Sequence, residues 1–381
     1  MAFKVDTDIP YGNACEVSVT ESEGMTEVGF APDPHGGPEC LWFCFRLTRL
    51  GSAASQKVRL ALKHSLNMLG GGESLNMRPV VRRARADWER LGAPAVERFP
   101  DGRNLVSWII DAPETSTDVA YCYPYGKQEM EALVNDTNGY WKMDTIGVSQ
   151  MARPLMRLSN SYGEAGSDRP GLYLVARQHS GETPGSWVLD GFLRHIASLG
   201  DSAPLVWSVP LTNVDGVEQG DYGKDNFPYD LNRAWGPAPM RHEVLIFQRD
   251  MRRWRERCRP CLGIDFHAPG ACEKDGIYCF LPDPEKYPEY HQAAMKFATT
   301  IEKALMPGYA ASPFGRVASY KSRWETPTFA SYCWTGHKIP GFTIENPYAM
   351  VGDLLLTREH YQEAGKLMAW AVVENLRRSC G

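Results

Sequence analysis

The sequence predicts an α/β domain with a mixed, mainly parallel sheet flanked by helices, preceded by an all-β sandwich domain. Three observations lead to this fold class. The chain has 381 residues, enough for two or three domains with a buried core in each. Short apolar or alternating runs fill roughly the first 120 residues, and strand-like runs alternate with amphipathic helical patterns from about residue 128. The expected domains are residues 1–124 and 125–381.

The N-terminal runs are short and regularly interrupted. Gly, Pro, Asp and Asn residues separate them every 8 to 15 residues, a spacing that is typical of a β-sandwich. The predicted strands are 15–19, 41–47, 57–62, 105–110 and 119–123.

The longer C-terminal part alternates strands with helices. A buried-strand run at 171–176 precedes Thr183 and Pro184. These two residues predict a helix with Thr183 as N-cap and Pro184 at its first position, where the missing N–H costs no hydrogen bond. Apolar periodicity predicts the remaining elements. The strands are 205–209, 262–266, 277–281 and 341–344, and the helices are 240–257, 285–305 and 357–378.

Charge and hydropathy exclude several functional classes. The chain carries 41 basic and 46 acidic residues, a net charge of −5, so no global field attracts nucleic acid or acidic lipid. The longest uncharged apolar-leaning stretch, 202–214, contains two prolines and is too short to cross a bilayer. The N-terminal residues become acidic where a secretory signal needs an apolar core. We therefore expect a soluble cytoplasmic protein without nucleic-acid or membrane partners.

The ten cysteines are too sparse for a disulfide scaffold and fit a reducing compartment. Cys258 and Cys261 form a lone CxxC, which has two interpretations: a structural zinc knuckle or packed thiols. No second CxxC follows, and Cys261 leads directly into the apolar run 262–264. The pattern therefore favours packed thiols, which behave as small hydrophobic groups.

Three metal-binding side chains follow two of the predicted strands. His179 and Glu182 lie in the turn after the strand 171–176, and His267 follows the strand 262–266. Open α/β sheets place their ligands at the carboxyl ends of strands, so we expect these side chains to converge. Two histidines and one glutamate form the ligand set of a catalytic zinc ion, with a fourth position left for water.

Further polar residues are expected beside this group. Glu345 directly follows the predicted strand 341–344 and would take a proton from the water. Taken alone, this residue also fits a surface salt bridge. Asn232 and Arg233 supply an amide and a guanidinium suited to binding a carboxylate. Asp230 is expected to accept the N–H of a ligand histidine.

Four segments resemble, in the same order along the chain, the motifs of zinc metallocarboxypeptidases. The chain looks most like the cytosolic carboxypeptidase branch of that family, whose members carry an amino-terminal β-sandwich. Residues 12–13, 42–45 and 120–126 resemble parts of that sandwich. The four segments are RQHSGET at 177–183, DLNRAW at 230–235, DFH at 265–267 and TIE at 343–345.

The resemblance implies a role for each site residue. His179, Glu182 and His267 would hold one zinc ion. Glu345 would be the general base, which takes a proton from water and returns it to the leaving amine.

The same resemblance implies how the substrate is bound. Arg233, together with Asn232, would bind its terminal carboxylate. The branch usually has Tyr-Arg where this chain reads Tyr-Gly-Lys at 222–224, so Lys224 would supply the charge that stabilises the oxyanion.

Two features of the stretch before the general base stay open. Tyr320 and Tyr332 are candidates for a tyrosine that caps the substrate, but each fits a packed side chain better. Lys321 and Arg323 would favour an acidic leaving residue, although charges on a surface loop are the simpler interpretation.

The resemblance implies zinc-dependent release of a C-terminal amino acid from a peptide. The altered cation position leaves an alternative, a zinc amidase or deacylase acting on a small N-acyl amino acid or biosynthetic intermediate. A non-catalytic module that binds protein tails is disfavoured because all the metal ligands and the base are present. The expected partner is a peptide or acyl-amino acid with a free carboxylate.

Overall fold

The computed structural model describes residues 2–22, 24–51, 55–84, 86–226, 228–319 and 324–378. Its first 120 residues form β-strands and short 3₁₀ turns. The strands are β1 (Phe3–Asp6), β2 (Cys15–Ser22), β3 (Met25–Ala31), β4 (Cys44–Arg49), β5 (Lys57–Lys63), β6 (Val80–Arg83), β7 (Glu89–Arg90), β8 (Ala95–Arg98), β9 (Asn104–Asp111) and β10 (Ser116–Ala120).

These strands form two five-stranded sheets. One has the order β1-β4-β10-β6-β7 with antiparallel pairs, and the other has the order β2-β3-β5-β9-β8, in which β3 and β5 pair in parallel. Phe30 of β3 packs across the gap on Phe43 and Phe45, with ring centroids 5.0 and 4.8 Å apart. The predicted all-β sandwich is confirmed. The predicted strand 41–47 was wrong at its start, because β4 begins at Cys44.

The remaining residues form helices and a second set of strands. In chain order these are α1 (Lys127–Asp136), β11 (Lys142–Val148), β12 (Pro154–Ser159), β13 (Pro170–Ala176), α2 (Thr183–Ser198), β14 (Leu205–Val209), α3 (Val214–Gln219), α4 (His242–Arg255), β15 (Arg259–His267), β16 (Ile277–Leu281), α5 (Pro288–Leu305), β17 (Ala310–Val317), α6 (Phe329–His337), β18 (Gly341–Glu345), β19 (Met350–Val351), β20 (Leu354–Leu355) and α7 (Arg358–Arg378).

Eight of these strands form one mixed sheet with the order β11-β12-β14-β13-β15-β18-β16-β17. The pairs β13–β14, β13–β15, β15–β18 and β16–β17 are parallel, and the other three are antiparallel. The predicted mixed, mainly parallel sheet is confirmed. Because β13, β15 and β18 are parallel neighbours, their carboxyl ends lie at one edge of the sheet, where His267 of β15 pairs with Glu345 of β18.

Helices cover both faces of this sheet. Alternate residues of β13 face opposite sides, as in any strand. Leu172 and Leu174 belong to the hydrophobic core that also contains residues of α2, α5 and α7, and Tyr173 and Val175 belong to the core formed with α4 and α6. A strand buried on both faces requires a continuous apolar run, which is what the sequence provides at 171–176.

The start of α2 differs from the prediction. Glu182, rather than Thr183, is the N-cap residue, and Thr183 is the first residue of the helix. Glu182 has φ −85° and ψ 62°, and its side chain makes no capping hydrogen bond. That side chain is instead turned toward two histidines, which explains why the turn ends one residue earlier than the capping preference indicates.

The predicted boundary after residue 124 lies between β10 and α1, and we retain the two domains as a proposal. Across the described residues, no helix combines the length and the apolar character that a membrane span requires.

Candidate metal centre

His179, Glu182 and His267 meet at the carboxyl edge of the central sheet. His179 lies in the turn after β13, Glu182 precedes α2, and His267 is the last residue of β15. The Nδ1 atom of His179 is 2.8 Å from Glu182 Oε1, and the Nδ1 atom of His267 is 2.7 Å from Glu182 Oε2. One ligand atom from each of the three buried residues lies within 4.8 Å of the others, so the group could hold a metal ion.

Two further carboxylates contact the opposite nitrogens of the histidine rings. His179 Nε2 lies 3.3 Å from Asp230, and His267 Nε2 lies 2.8 Å from Asp265 Oδ2. A carboxylate only accepts hydrogen bonds, so in the metal-free protein both nitrogens of each ring donate, Nε2 to the outer carboxylate and Nδ1 to Glu182. A bound metal would replace the proton on each Nδ1, and the outer carboxylate would keep the proton on Nε2 and fix the ring.

The electrostatics of the group fit a divalent cation. Burial lowers the pKa of His179, but Glu182 and Asp230 outweigh it and raise that pKa to about 9. The pKa of His267 is also well above its ordinary value, because Asp265 and Glu182 outweigh burial. Burial raises the pKa of Glu182, but the two histidines lower it by more, so the pKa lies below its usual range. Three carboxylates therefore surround two imidazoles, an excess of negative charge that a metal cation would balance.

Glu345 lies beside this group and is itself buried. It is the last residue of β18, and its Oε2 atom is buried without a hydrogen-bond partner in the described part of the chain. Burial raises its pKa to about 7, with His267 opposing and Glu182 adding to the rise. A carboxylate oxygen with no protein partner is available to a water or a substrate group.

A cleft of about 650 Å³ opens over these residues. Lys224, Asn232 and Arg233 line it together with the metal-binding group and Glu345. The positive charge of Lys224 lowers the pKa of Glu345 and so opposes part of the effect of burial.

The N-terminal sandwich supplies part of the cleft wall through Leu69 and Gly70. The Leu69 carbonyl accepts a hydrogen bond of 2.8 Å from the Ala271 amide. A Cβ atom on Gly70, whose φ is +70°, would lie 2.7 Å from the Gly270 Cα, so glycine allows this close approach.

Hydrogen bonds to its neighbours fix the position of Asn232. Its backbone N–H donates to Asp230 Oδ1 at 2.7 Å, and its side-chain Oδ1 accepts from the backbone N–H of Phe329 at 3.1 Å. Its Nδ2 lies 3.1 Å from His267 Nε2. That nitrogen already donates to Asp265 and cannot also accept, so Asn232 Nδ2 does not donate to it.

Asp265 is the residue that the sequence reasoning missed. It appeared only as part of a motif, although its position two residues before His267 on a strand places both side chains on one face. The two-residue separation on a strand therefore predicts the contact between Asp265 and His267.

Several other predicted features lie elsewhere. Tyr332 is a packed side chain, as favoured: it is buried in the core with α4 and α6, and its hydroxyl is 3.2 Å from His337 Nε2. Tyr320, Lys321 and Arg323 lie outside the described residues.

Cys258 and Cys261 lie apart from the His-Glu-His group. Cys258 is buried, and its Sγ lies 3.4 Å from the carbonyl oxygen of Trp254. The Sγ of Cys261 lies 3.2 Å from the carbonyl oxygen of Arg259. Among the described residues, the His-Glu-His group is the metal-binding cluster that the geometry supports, and Cys258 and Cys261 are not part of one.

Known proteins resemble this chain in sequence and in fold. No protein-family model matches the chain. Mouse cytosolic carboxypeptidase 6 is 32% identical over 190 residues, which are 44% of this chain and 35% of the mouse protein. The Caenorhabditis elegans cytosolic carboxypeptidase 6 is 23% identical over 252 residues, 60% of this chain and 53% of that protein.

Solved structures extend the similarity to nearly the whole chain. A metallo-carboxypeptidase from Burkholderia cenocepacia superposes with a TM-score of 0.78 at 19% identity, covering 99% of this chain and 100% of that one. The predicted resemblance to the metallocarboxypeptidases is confirmed. A metallo-carboxypeptidase from Pseudomonas aeruginosa, in complex with (2-guanidinoethylmercapto)succinic acid, gives a TM-score of 0.74 at 18% identity over 98% of this chain and 99% of that one.

The similarity of fold to these two metallo-carboxypeptidases therefore covers the N-terminal sandwich as well as the central sheet. The chain spans little more than a third of the length of the mouse and human cytosolic carboxypeptidases 6 that it matches.

Proposed function

We propose that this protein is a zinc-dependent carboxypeptidase, which hydrolyses the amide bond of the C-terminal residue of its substrate. One observation carries the proposal: the unpartnered carboxylate oxygen of Glu345 lies in the same cleft as the His-Glu-His group and Arg233. A metal site, a proton acceptor and a carboxylate-binding cation are the parts that this reaction needs.

The donor set favours zinc as the metal. Two imidazole nitrogens and one carboxylate match the three protein ligands of a catalytic zinc site, and His179, Glu182 and His267 would supply them. When bound, zinc lowers the pKa of a coordinated water to about 7 and polarises the scissile carbonyl group.

Glu345 acts as the general base in this proposal. Its carboxylate accepts a proton from the attacking water and returns it to the nitrogen of the leaving amino acid. In the metal-free protein burial raises the pKa of this carboxyl group toward neutral pH, where a base both accepts and releases a proton with little cost.

Two cations and an amide act on the substrate. The guanidinium of Arg233 binds the terminal carboxylate, and the Asn232 amide hydrogens add a second contact. Lys224 stabilises the negative charge that develops on the carbonyl oxygen. Its ammonium group is a point charge on a flexible stem, so it provides charge without the fixed geometry of a guanidinium.

A second candidate function is hydrolysis of a small N-acyl amino acid. The observation that favours it is the volume of the cleft, about 650 Å³, which lies within the range of small-molecule pockets; Leu69 and Gly70 form part of its wall. Both functions use the same residues and differ only in the length of the substrate.

The experiment compares Glu345→Gln with Glu302→Gln, a half-buried residue of α5 that lies outside the cleft. The purified protein, loaded with one equivalent of zinc, is assayed on peptides of two to eight residues and on N-acetylated amino acids. We expect Glu345→Gln to retain zinc and to lose kcat by about 10²–10⁴-fold, the usual contribution of a general base. Undiminished turnover in Glu345→Gln, or turnover by the wild type without metal, contradicts the proposal.

We further propose a cytoplasmic location. It is supported by the names of the cytosolic relatives and by the nine described cysteines, all of which are free thiols.

A further inference from the structure

Gln178 is a fully buried side chain directly before the metal-binding turn, and its amide group is completely hydrogen-bonded. Its Oε1 accepts from the indole Nε1 of Trp235 at 2.6 Å. Its Nε2 donates to Asn232 Oδ1 at 3.0 Å and also to Asp265 Oδ2. A primary amide has two hydrogens, and both are used here.

The surroundings fix the orientation of this amide. An indole N–H can only donate, so the Gln178 oxygen faces Trp235 and the nitrogen faces the other two residues. Asn232 Oδ1 is fixed in the same way, because the Phe329 amide on its other side is also a donor. The orientation of the Gln178 amide is thus the one arrangement in which all these groups are satisfied.

The two acceptors belong to different parts of the active site. Asp265 contacts His267 Nε2 from behind, and Asn232 lies beside Arg233 on the wall of the cleft. We infer that Gln178 is a positioning residue that holds the metal ligand His267, through Asp265, and the substrate-binding amide of Asn232 in one fixed arrangement. The part that concerns Asn232 rests on the proposed function.

Asp265 depends strongly on this contact. It is fully buried, and its Oδ1 has no hydrogen-bond partner in the described part of the chain. Its Oδ2 is stabilised by Gln178 and His267. Without Gln178, the carboxylate keeps one of its two donors, and a buried carboxylate with too few donors is costly. Relief then requires the Asp265 carboxylate to shift toward another donor, and this shift releases the His267 ring.

The test uses Gln178→Met, which keeps the length of the side chain and removes its amide. The matched control is Gln248→Met on α4, a buried glutamine that donates to the Gly236 carbonyl at 2.9 Å and does not line the cleft. Zinc affinity is measured on metal-free protein by competition with a chromophoric chelator. We expect Gln178→Met to bind zinc 10–100-fold more weakly, as is typical for loss of a contact behind a ligand, and Gln248→Met to change it less than threefold.

Steady-state kinetics at saturating zinc test the contact with Asn232. We expect Gln178→Met to raise KM for a peptide about tenfold and to change kcat less than threefold. Should Gln178→Met fail to fold, Trp235→Phe removes the N–H that orients the amide, together with part of a buried ring, and we expect a 3–10-fold loss of zinc affinity.

Two results overturn the inference: a zinc affinity within twofold of the wild type in the folded variants, or an equal loss in Gln248→Met. The zinc measurement needs no turnover, so absence of peptide hydrolysis would refute the proposed function and leave the role of Gln178 toward His267 standing.

Discussion

Replacing Glu345 by Gln is predicted to change how the stability of the metal-free protein depends on pH. The Glu345 side chain is buried, with an exposed fraction of 9%, and its Oε2 lacks a hydrogen-bond donor in the described part of the chain. Ionising a carboxyl group in such a place is unfavourable, and burial raises its pKa from the ordinary value of 4.5 to about 7. Gln has the same shape and does not ionise.

The magnitude follows from linkage. Between pH 4.5 and 7 the folded protein binds more protons at Glu345 than the unfolded chain does, so this residue makes the protein less stable as the pH rises. Each pKa unit corresponds to about 1.4 kcal/mol, so the loss is at most about 3 kcal/mol and is complete above pH 7. The Glu345→Gln variant does not lose this stability, because Gln does not ionise. Its stability relative to the wild type should therefore increase between pH 4.5 and 8 by up to about 3 kcal/mol.

Urea unfolding of the chelator-treated wild type, Glu345→Gln and Glu302→Gln at several pH values between 4.5 and 8 measures this difference. Contributions from other titrating groups are shared and largely cancel. We expect the curve of Glu345→Gln to diverge upward from that of the wild type, and Glu302→Gln serves as the control for replacing a glutamate outside the cleft. A constant difference between Glu345→Gln and the wild type across this range would show that Glu345 titrates normally, and the electrostatic reasoning for the base would be wrong.

Three further predictions concern the substrate site and the core. Arg233→Ala should raise KM for a substrate with a free carboxylate about 10–150-fold, because a charged hydrogen bond worth about 1.5–3 kcal/mol is lost. The KM for the corresponding C-terminal amide should change little. Equal effects on both substrates would contradict the role of Arg233 in binding the carboxylate. Lys224→Ala should lower kcat about 10²–10³-fold while Lys224→Arg keeps more activity, and an effect on KM alone would exclude oxyanion stabilisation. Gly365→Ala should lower the free energy of unfolding by at least about 1–3 kcal/mol, because the new Cβ would lie 1.9 Å from the Val188 carbonyl oxygen where α7 meets α2. Gly308→Ala, with open space around the glycine, is the matched control, and equal stability of the two variants in urea unfolding would contradict this packing argument.

The sequence was most informative where one physical constraint acts alone. Strands buried on both faces need continuous apolar runs, and β14 and β16 have the predicted bounds for that reason. The convergence of His179, His267 and Glu345 followed from parallel strands that share a carboxyl edge.

Competing constraints limited the rest. Thr183 and Pro184 are good helix-start residues, but the Glu182 carboxylate turns toward the histidines and moves the N-cap one residue earlier. The network around Gln178 joins residues 54 and 87 positions apart, and no local pattern reveals such contacts. The strand β3 was missed because its pairing with β2 and β5 is set by tertiary structure.

The most direct test of the central claim is a zinc-edge anomalous difference map from a crystal grown with one equivalent of zinc. We predict a single peak about 2.0–2.2 Å from the Nδ1 atoms of His179 and His267 and from a carboxylate oxygen of Glu182. An empty site at full zinc loading, or a peak on Cys258 and Cys261 instead, would contradict the account.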